Sequence, residues 1–596
     1  MDYLVKELPT TEAETVPAQV PEQSPLFRWL TGEVLLYTLI VLAAAGLRFV
    51  NLGAYPLNDA ESAQALVGYE VSQGQIPAEA EGYSPLIVTL NALAFLLFDD
   101  SDGAARFGSV LLGIVLVLLP LGLRRQSGVS AALATSTLFA ISASTLYWSR
   151  TASGEIAVAV GSLMIWVGVV NWLDLRSKAS ALLTVTGLIF LLTSASSGFT
   201  ALSILLVFMI YVGFTNQSAL TAIQTNLSQV GLTLGQVALF GAALLIIIGT
   251  TALFNLTGPA AISDLFSTWL SQFGLQPQPG AGYPAIFMLV FYEPLLLIFG
   301  IVGIVRAFRS AELFSWFLVI WLGVVIILDL LMGGRSQGQI LLAVVPLGLL
   351  AGQAIGRLVD QLLTRERRDI EGLFLGFGLI ITVFVYISLT SWSKCDAAQA
   401  GCSTAWVLPA AGTVLLVALF AIFWGWYGAG NAGRSIGLLV LVVAGLFSIG
   451  ISWRLNYGPL KDLAFQPMIG QPASTRLETL LTEVTRLSAE RTGDDSLIDV
   501  VVVDFDRPIL RWHLRHFTNV SFVDSFNLAN GASIVLAAPD IGEPVGGSYV
   551  GQDLALIASW TPQLVVGKEW LRWYLYRFLM NHVPGSDQII LWVREG

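Results

Sequence analysis

The chain is short of charge. Only 12% of its 596 residues are Asp, Glu, Lys or Arg, whereas 55% are hydrophobic, and the mean hydropathy is +0.73. Soluble domains carry about 25% charged residues, so this composition excludes an ordinary soluble protein. Lys and Arg number 30 against 41 Asp and Glu, a net charge of -11. Because neutralising phosphates requires clustered positive charge, this balance also argues against a nucleic-acid partner.

Cysteine and histidine are also scarce. The two cysteines, Cys395 and Cys402, share the loop "SWSKCDAAQAGCST". Their closeness, in a loop expected outside the cytoplasm, favours a local disulfide over two unrelated thiols. The three histidines, His513, His516 and His582, lie in the C-terminal region, so no His-based metal site is expected among the apolar segments.

The N-terminus lacks the basic start of a signal peptide. "MDYLVKELPTTEAETVPAQVPEQSP" is acidic and rich in proline. We expect residues 1–32 to form a disordered cytoplasmic tail and the first apolar segment to be a retained anchor.

Long apolar runs dominate the rest of the chain and predict a polytopic α-helical membrane protein. About thirteen transmembrane helices are expected, at residues 33–50, 104–123, 130–149, 155–172, 181–195, 198–214, 235–254, 284–305, 312–331, 339–357, 371–391, 404–426 and 435–453.

Basic residues in the short loops orient these helices. The loops at 123–128, 173–180, 305–312, 357–369 and 430–435 are basic, and with thirteen crossings all five fall on one side. The positive-inside rule makes that side cytoplasmic, with the N-terminus inside and the C-terminus outside. The apolar segment 84–98 is only 15 residues long, and we interpret it as juxtamembrane or re-entrant on the outer surface.

Composition changes again near residue 459. We therefore predict a transmembrane domain at 33–458, with an outer loop at 51–103, followed by an extracytoplasmic domain at 459–596. In that domain "LIDVVVVDF", "SIVLAAP" and "QIILWVRE" favour strands, and charged amphipathic segments between them favour helices, which indicates a small α/β fold. It contains no phosphate-binding loop or nucleophile elbow. A role in partner binding is favoured over direct contact of its His and Arg with a substrate.

Six polar residues gather on the predicted outer face: Asp59, Glu61, Arg150, Glu155, Glu293 and Arg335. Each has a structural alternative. Asp59 is suited to cap the following helix and Glu61 to its first turn. Arg150 and Glu155 can pair with each other or with lipid headgroups, and Arg335 can anchor the interface. Glu293 lies within an apolar run, where a carboxylate usually faces a cavity.

Three stretches resemble the GT-C superfamily of membrane glycosyltransferases, in particular its protein O-mannosyltransferase and aminoarabinose transferase branch. "LRFVNLGAYPLNDAESAQA" is similar to the first outer loop of that branch. "ISASTLYWSRTASGEI" is similar to a motif in which an arginine precedes an acid by five residues, with Glu155 in place of the more usual aspartate. "YPAIFMLVFYEPLLL" and "GGRSQGQILLAVVPLGLLAG" match later segments in order, so the likeness covers about residues 30–360.

This resemblance implies transfer of a sugar from a polyprenyl-phosphate carrier to a protein, lipid or glycan acceptor at the outer face of the plasma membrane. Asp59 is then the candidate general base, and Glu155 orients the acceptor or shares that role. Arg150 and Arg335 are candidate partners of the phosphate, and Glu293 is a further candidate substrate-binding residue. The resemblance fixes no cofactor and leaves a divalent metal open.

The acid pair departs from the family pattern. Related proteins commonly carry adjacent Asp-Glu, whereas Ala60 separates Asp59 from Glu61 here. Two helical positions apart, side chains point about 200° away from each other, so one shared role cannot be assumed and Glu61 stays an alternative base. A non-catalytic scaffold of the same fold and a lipid-linked sugar transporter are the competing functions, although no inverted repeat is visible to support transport.

Overall fold

The computed structural model describes residues 31–75, 77, 83–175, 177–215, 234–278, 280–310, 312–364, 369–395, 402–526, 531–544, 548–560, 565, 567–577, 579 and 584–595. The predicted N-terminal tail, apart from residues 31 and 32, lies outside the described residues, as does His582.

Helices make up the first three quarters of the described chain. In order they are α1 (Gly32–Phe49), α2 (Asp59–Ser72), α3 (Pro85–Leu97), α4 (Asp102–Leu118), α5 (Arg124–Ser127), α6 (Val129–Ile141), α7 (Ala143–Ser149), α8 (Glu155–Leu175), α9 (Lys178–Ser194), α10 (Ser197–Thr215), α11 (Leu234–Gly249), α12 (Gly258–Ser271), α13 (Ala285–Tyr292), α14 (Pro294–Ser310), α15 (Leu313–Leu331), α16 (Ile340–Leu363), α17 (Asp369–Lys394), α18 (Val407–Tyr457) and α19 (Leu460–Leu463). Short 3₁₀ turns lie at Leu119–Leu123, Gln337–Gln339 and Cys402–Thr404.

Many of these helices are suited to a membrane. Among the described residues, eight helical segments are long and apolar enough to cross a bilayer, or up to ten if each bent pair forms one span. The other predicted crossings correspond to the shorter helices α9 and α11 and to the division of α18 into two, so the count of thirteen stays a prediction. The predicted class, a polytopic helical membrane protein with a small C-terminal sheet, is confirmed.

Breaks divide two of the predicted crossings, and a third break separates two others. Helices α6 and α7 meet at 60°, and α13 and α14 meet at 114° around Glu293. Within α18, Gly428 has φ 78°, a left-handed conformation that glycine adopts without steric cost, and it separates the last two predicted crossings.

Helix α3 has 13 residues and spans about 20 Å, too short for a 30 Å hydrocarbon core.

Helix α16 forms the centre of the bundle. Its residues are buried almost continuously from Ile340 to Gly356, and it packs against α6, α8, α14 and α15. A segment that is apolar all round can be buried on every side without leaving a charge unpaired, which is compatible with this central position.

The C-terminal region forms a five-stranded sheet with helices α20 (Thr475–Thr492), α21 (Pro508–His513) and α22 (Lys568–Tyr576). The strands are β1 (Val500–Val503), β2 (Val520–Val523), β3 (Ile534–Ala537), β4 (Tyr549–Ser559) and β5 (Gly585–Arg594). Their order is β2-β1-β3-β5-β4, with β1 parallel to β2 and β3 and with β5 antiparallel to β3 and β4. The four valines of β1 are all buried, as expected for a central parallel strand.

Two helices of the C-terminal domain pack on helices of the bundle. Helix α21 packs against α2, and α22 packs against α17. At the first contact Trp512 Nε1 donates to Asp102 Oδ1 (2.7 Å), and at the second Arg572 donates to the Ser393 carbonyl (2.7 Å). These contacts hold the domain against one end of the helical bundle.

Candidate active site

The start of helix α2 is fixed by a capping box. Asn58 accepts from the Glu61 N–H (3.0 Å), and Glu61 Oε2 accepts from the Asn58 N–H (3.2 Å). This reciprocal arrangement is typical of a polar cap residue followed three positions later by glutamate. The expectation that Asp59 caps this helix is therefore wrong, because Asn58 is the cap and Asp59 is the first helical residue.

Glu61 is held in a buried ion pair. Arg106 Nε donates to Glu61 Oε1 and Arg106 Nη2 donates to Glu61 Oε2, each at 2.8 Å, and the Ala152 N–H also donates to Oε1 (3.0 Å). Both side chains are almost fully buried. Paired contacts of this type are among the strongest charge-assisted hydrogen bonds. Glu61 is therefore a compensated anion that fixes α2 against α4 and the loop before α8.

Asp59 lies on a different side of the same helix and is half-buried. Its Oδ1 accepts from the Ile509 N–H at the start of α21 (3.1 Å). The part of the chain that the structure describes contains no ion-pair partner for Asp59. The two acids of "NDAE" thus have different surroundings, as the 200° separation in the sequence analysis implied.

Glu155 begins helix α8 and is buried. Its Oε2 accepts from Ser197 Oγ (2.5 Å) and its Oε1 from Ser336 Oγ (2.6 Å), which joins three distant segments. Gly338 is required beside it, because a Cβ at that position would lie 2.2 Å from Glu155 Cγ. The expected Arg150–Glu155 pair is not among the contacts of the described residues.

Asp59, Glu61 and Glu155 line one cavity of about 330 Å³, which we call the acid cavity. Gln64 and Gln337 add amide groups to its wall, and no Lys, Arg or His is among the described residues that line it. Carboxylates from two separate parts of the chain thus converge on a single polar space.

Arg150 lines a second, adjoining cavity of about 60 Å³, which we call the arginine cavity. Arg106 also lines it, and the two cavities share Asn58, Glu61 and Tyr147. The guanidinium of Arg150 donates to four carbonyls at the end of α1, those of residues 47, 48, 50 and 51. Its carbon Cζ lies 4.7 Å from the centre of the Tyr457 ring, and burial lowers its pKa.

Glu293 and Arg335 are not among the residues that line either cavity. Glu293 is fully buried at the α13–α14 break, and its Oε1 accepts from Ser142 Oγ (2.6 Å) and the Ser144 N–H (2.8 Å) at the α6–α7 break. Arg335 Nε donates to the Asp329 carbonyl (2.9 Å) and lies 3.8 Å from its carboxylate. Both make contacts within the bundle.

Cys395 and Cys402 are joined in a disulfide, with 5.7 Å between their Cα atoms. Lys568 Nζ of α22 lies 3.4 Å from Cys402 Sγ. The bridge connects the end of α17 to the start of α18, close to the second domain contact.

Two important residues were missed by sequence reasoning. Asn58 is the cap, and "NDAE" carries the capping-box pattern that identifies it. Arg106 lies inside the predicted apolar crossing 104–123, and a charge in such a position is usually buried and functional, which is the signal that identifies it. Among the described residues, no cluster of three or more His, Cys, Asp or Glu is arranged to hold a metal ion.

Comparison with known proteins gives a structural likeness only. No family model and no curated protein matches the chain. The crystal structure of ArnT from Cupriavidus metallidurans bound to undecaprenyl phosphate matches with TM-score 0.54 and 14% identity, over 94% of this chain and 98% of that one. The apo ArnT structure matches with TM-score 0.52 and 15% identity, over 86% and 94%.

The archaeal oligosaccharyltransferase AglB from Archaeoglobus fulgidus has a weaker likeness, with TM-score 0.46 and 13% identity over 85% of this chain and 69% of that one. ArnT is an aminoarabinose transferase and, like AglB, a membrane glycosyltransferase of the GT-C superfamily. At these identities the ArnT likeness concerns the fold. The chain has the fold of the GT-C membrane glycosyltransferases.

Proposed function

We propose that the protein transfers a sugar from a polyprenyl-phosphate donor to an acceptor at the extracytoplasmic face of the membrane. The observation that carries this proposal is the convergence of Asp59, Glu61 and Glu155 on the acid cavity. The ArnT structure of similar fold contains undecaprenyl phosphate, which supports a donor of that kind.

In this proposal Asp59 is the general base. It lines the acid cavity, and the one hydrogen bond described for its carboxylate leaves Oδ2 available to take a proton. An acceptor hydroxyl attacks the anomeric carbon, its proton passes to Asp59, and the bond between that carbon and the phosphate oxygen breaks. The sugar joins the acceptor and polyprenyl phosphate leaves.

We assign Glu61 a structural role, in which it fixes the start of α2. Its two oxygens are already occupied by Arg106, the Ala152 N–H and the Asn58 N–H, so it is poorly placed to accept a substrate proton. Glu155 lines the acid cavity with its oxygens directed by two serines, and we assign it the orientation of the acceptor.

We assign Arg150 to the side of the leaving phosphate. It lines the arginine cavity, which adjoins the acid cavity through Asn58, Glu61 and Tyr147. A guanidinium can stabilise the negative charge that develops on a departing phosphate. Arg335, paired with Asp329, and Glu293, buried at the helix break, are better explained as residues that hold the bundle together.

The test compares Asp59→Asn with Asp174→Asn, the same change at an exposed position near the C-terminal end of α8. Membranes that contain the full chain would be supplied with radiolabelled hexosyl polyprenyl phosphates, and transfer to endogenous acceptors would be measured. Asp59→Asn should reduce transfer by about 10²-fold or more, the usual contribution of a general base, with normal protein level. Wild-type transfer by Asp59→Asn would refute the assignment.

Orientation needs its own experiment. We propose that the N-terminus is cytoplasmic and that the C-terminal domain is extracytoplasmic. Because both native cysteines are in the disulfide, single cysteines introduced at Gln126 and at Thr482 can be labelled selectively. A membrane-impermeant maleimide on intact cells should label position 482 and not position 126. The reverse pattern would place the acid cavity on the cytoplasmic side.

A non-catalytic scaffold is the second candidate. It is favoured by the Ile509–Asp59 hydrogen bond, since that contact gives Asp59 a role in docking the C-terminal domain. If docking is its only role, Asp59→Ala, which removes the acceptor, should speed proteolytic release of the domain, and Asp59→Asn, which keeps an acceptor oxygen, should leave the cell's glycans unchanged. A partner protein that co-purifies in stoichiometric amount would be its further signature.

A further inference from the structure

A groove of about 640 Å³ lies where α22 meets the helical bundle. Its walls are α17, the second half of α18 and the end of α22, and most of the lining side chains are apolar. It shares no lining residue with the acid cavity. Two arginines, Arg454 and Arg577, lie at the end of the groove that meets the C-terminal domain.

Arg577 is buried, with 2% of its surface exposed. Its guanidinium carbon lies 4.8 Å from the centre of the Tyr292 ring, 4.7 Å from Trp573 and 5.4 Å from Tyr574. Its Nη2 donates to the Phe291 carbonyl, whereas Nε and Nη1 have no hydrogen-bond partner in the described part of the chain. Its backbone is left-handed, with φ 60°, which is uncommon for a residue other than glycine.

The charge of Arg577 is therefore incompletely compensated. No ion pair is described for it among the described residues, whereas the buried Arg106 has Glu61 at 2.8 Å. Aromatic faces stabilise a buried cation only in part. Burying a charge without an opposite charge is costly, so the surroundings of Arg577 favour an anion.

Arg454 adds a second positive group. It lies three residues before the end of α18, and its Nη1 donates to the Tyr576 carbonyl (2.7 Å). The end of an apolar helix is the depth at which lipid headgroups meet a membrane protein. A basic end on an apolar groove is complementary to a molecule with an anionic head and a hydrocarbon tail.

We propose that this groove binds an anionic phospholipid of the bilayer, with its phosphate at Arg454 and Arg577 and an acyl chain between α17 and α18. The apolar wall argues against free phosphate as the occupant. Because no residue lines both the groove and the acid cavity, the occupant is a resident lipid and not the sugar donor. The proposal depends on the membrane location and not on glycosyl transfer.

The first test uses a substitution that fills the groove and leaves Arg454 and Arg577 unchanged. Gly450 lines the groove, and a Cβ added there meets no atom within 4 Å, so Gly450→Trp places an indole in open space. Gly445→Trp is the matched control, since a Cβ there also meets nothing within 4 Å and the residue is not among those lining the groove. Gly445 and Gly450 are five positions apart on α18, so side chains placed there point about 140° away from each other around the helix axis.

The full chain would be purified in mild detergent, and bound phosphatidylglycerol would be counted by native mass spectrometry. We expect wild type and Gly445→Trp to retain one lipid and Gly450→Trp to lose it. Equal retention by both tryptophan variants would overturn the proposal.

A second measurement tests the arginines. Delipidated wild type should gain thermal stability when phosphatidylglycerol is added, with a smaller gain from phosphatidylcholine and none from inorganic phosphate. Arg454→Gln and Arg577→Gln should each bind phosphatidylglycerol about tenfold more weakly, whereas Arg486→Gln, an exposed arginine on α20, should bind it as wild type does. Stabilisation by polyprenyl phosphate that exceeds that by phosphatidylglycerol would overturn the choice of lipid.

Discussion

The contacts that α21 and α22 make with the bundle differ in whether carboxylates take part. At α21, carboxylates of the bundle accept from the domain: Asp102 from Trp512 and Asp59 from Ile509. At α22, arginines donate to backbone carbonyls and lie on aromatic rings, and no carboxylate is described as a partner of Arg577 among the described residues. At the first contact Arg515 has a carboxylate partner, since its Nε lies 3.4 Å from Asp100 Oδ2. The difference indicates that Arg577, at the second contact, is the arginine whose charge is left without a described carboxylate.

The largest expected effect lies beneath the first contact. Glu61→Gln leaves Arg106 buried without a carboxylate, and we expect the free energy of unfolding to fall by about 3–5 kcal/mol. Denaturant titration in detergent micelles would measure it. The control is Glu483→Gln, which removes an exposed partner of Arg486. If the free energy of unfolding falls no further than in the control, Glu61 does not stabilise Arg106, and the contrast between Arg106 and Arg577 is wrong.

The second effect concerns the groove side. The disulfide Cys395–Cys402 closes a short loop, with a sequence separation of 7, and joins α17 to the start of α18, two of the three helices that line the groove. Replacing both cysteines with serine should cost about 2.5 kcal/mol by the loop-entropy relation. Thermal melting with and without reductant would show it, and the double-serine variant should not respond to reductant. We also expect bound phosphatidylglycerol to decrease, with the acid cavity unaffected.

A smaller effect is expected from Asp102→Asn at the first contact. Asp102 accepts from Trp512 Nε1 with one oxygen and from the Leu57 N–H with the other, and asparagine can satisfy only one of these donors. The cost should be about 1–2 kcal/mol, that of an unsatisfied buried donor. Faster proteolytic release of the C-terminal domain would report it. Asp99→Asn, in the exposed loop nearby, should release the domain at the wild-type rate.

The smallest effect is a pH dependence of the same contact. Burial lowers the pKa of His513. The nearby Asp102 carboxylate opposes part of this decrease, and the positive charges of Arg515 and Arg106 lower the pKa further. The unfolded state therefore takes up a proton at higher pH than the folded state, and stability should fall as pH decreases from about 6.5 towards the lowered pKa. His513→Gln should remove this dependence, whereas the exposed His516→Gln should keep it.

The sequence predicted what depends on composition and spacing. Apolar runs located the crossing helices, and the valine-rich strand β1 located the sheet. Strand β4 was missed although it is the longest, because half of it is exposed and its pattern lacks a continuous apolar run. The division of α18 at Gly428 agrees with the predicted gap between the last two apolar segments.

The candidate site was predicted in part. Asp59, Glu61 and Glu155 do share a cavity, and Arg150 lines the adjoining one. Their roles could not be predicted, because a role depends on which partner the tertiary fold places against each charge. The sequence alone leaves Glu61 as an alternative base, because Arg106, which pairs with it, lies 45 residues later in the chain.

Glu293 connects the α13–α14 break to the α6–α7 break through hydrogen bonds. Its carboxylate lies at one break and bonds Ser142 and Ser144 at the other, so neither bend can open without disturbing those hydrogen bonds. Helix α7 leads from its bend to Arg150, while the residue before Glu293, Tyr292, lies under Arg577. The α6–α7 and α13–α14 breaks are therefore connected through Glu293, between Arg150 in the arginine cavity and Tyr292 beneath Arg577.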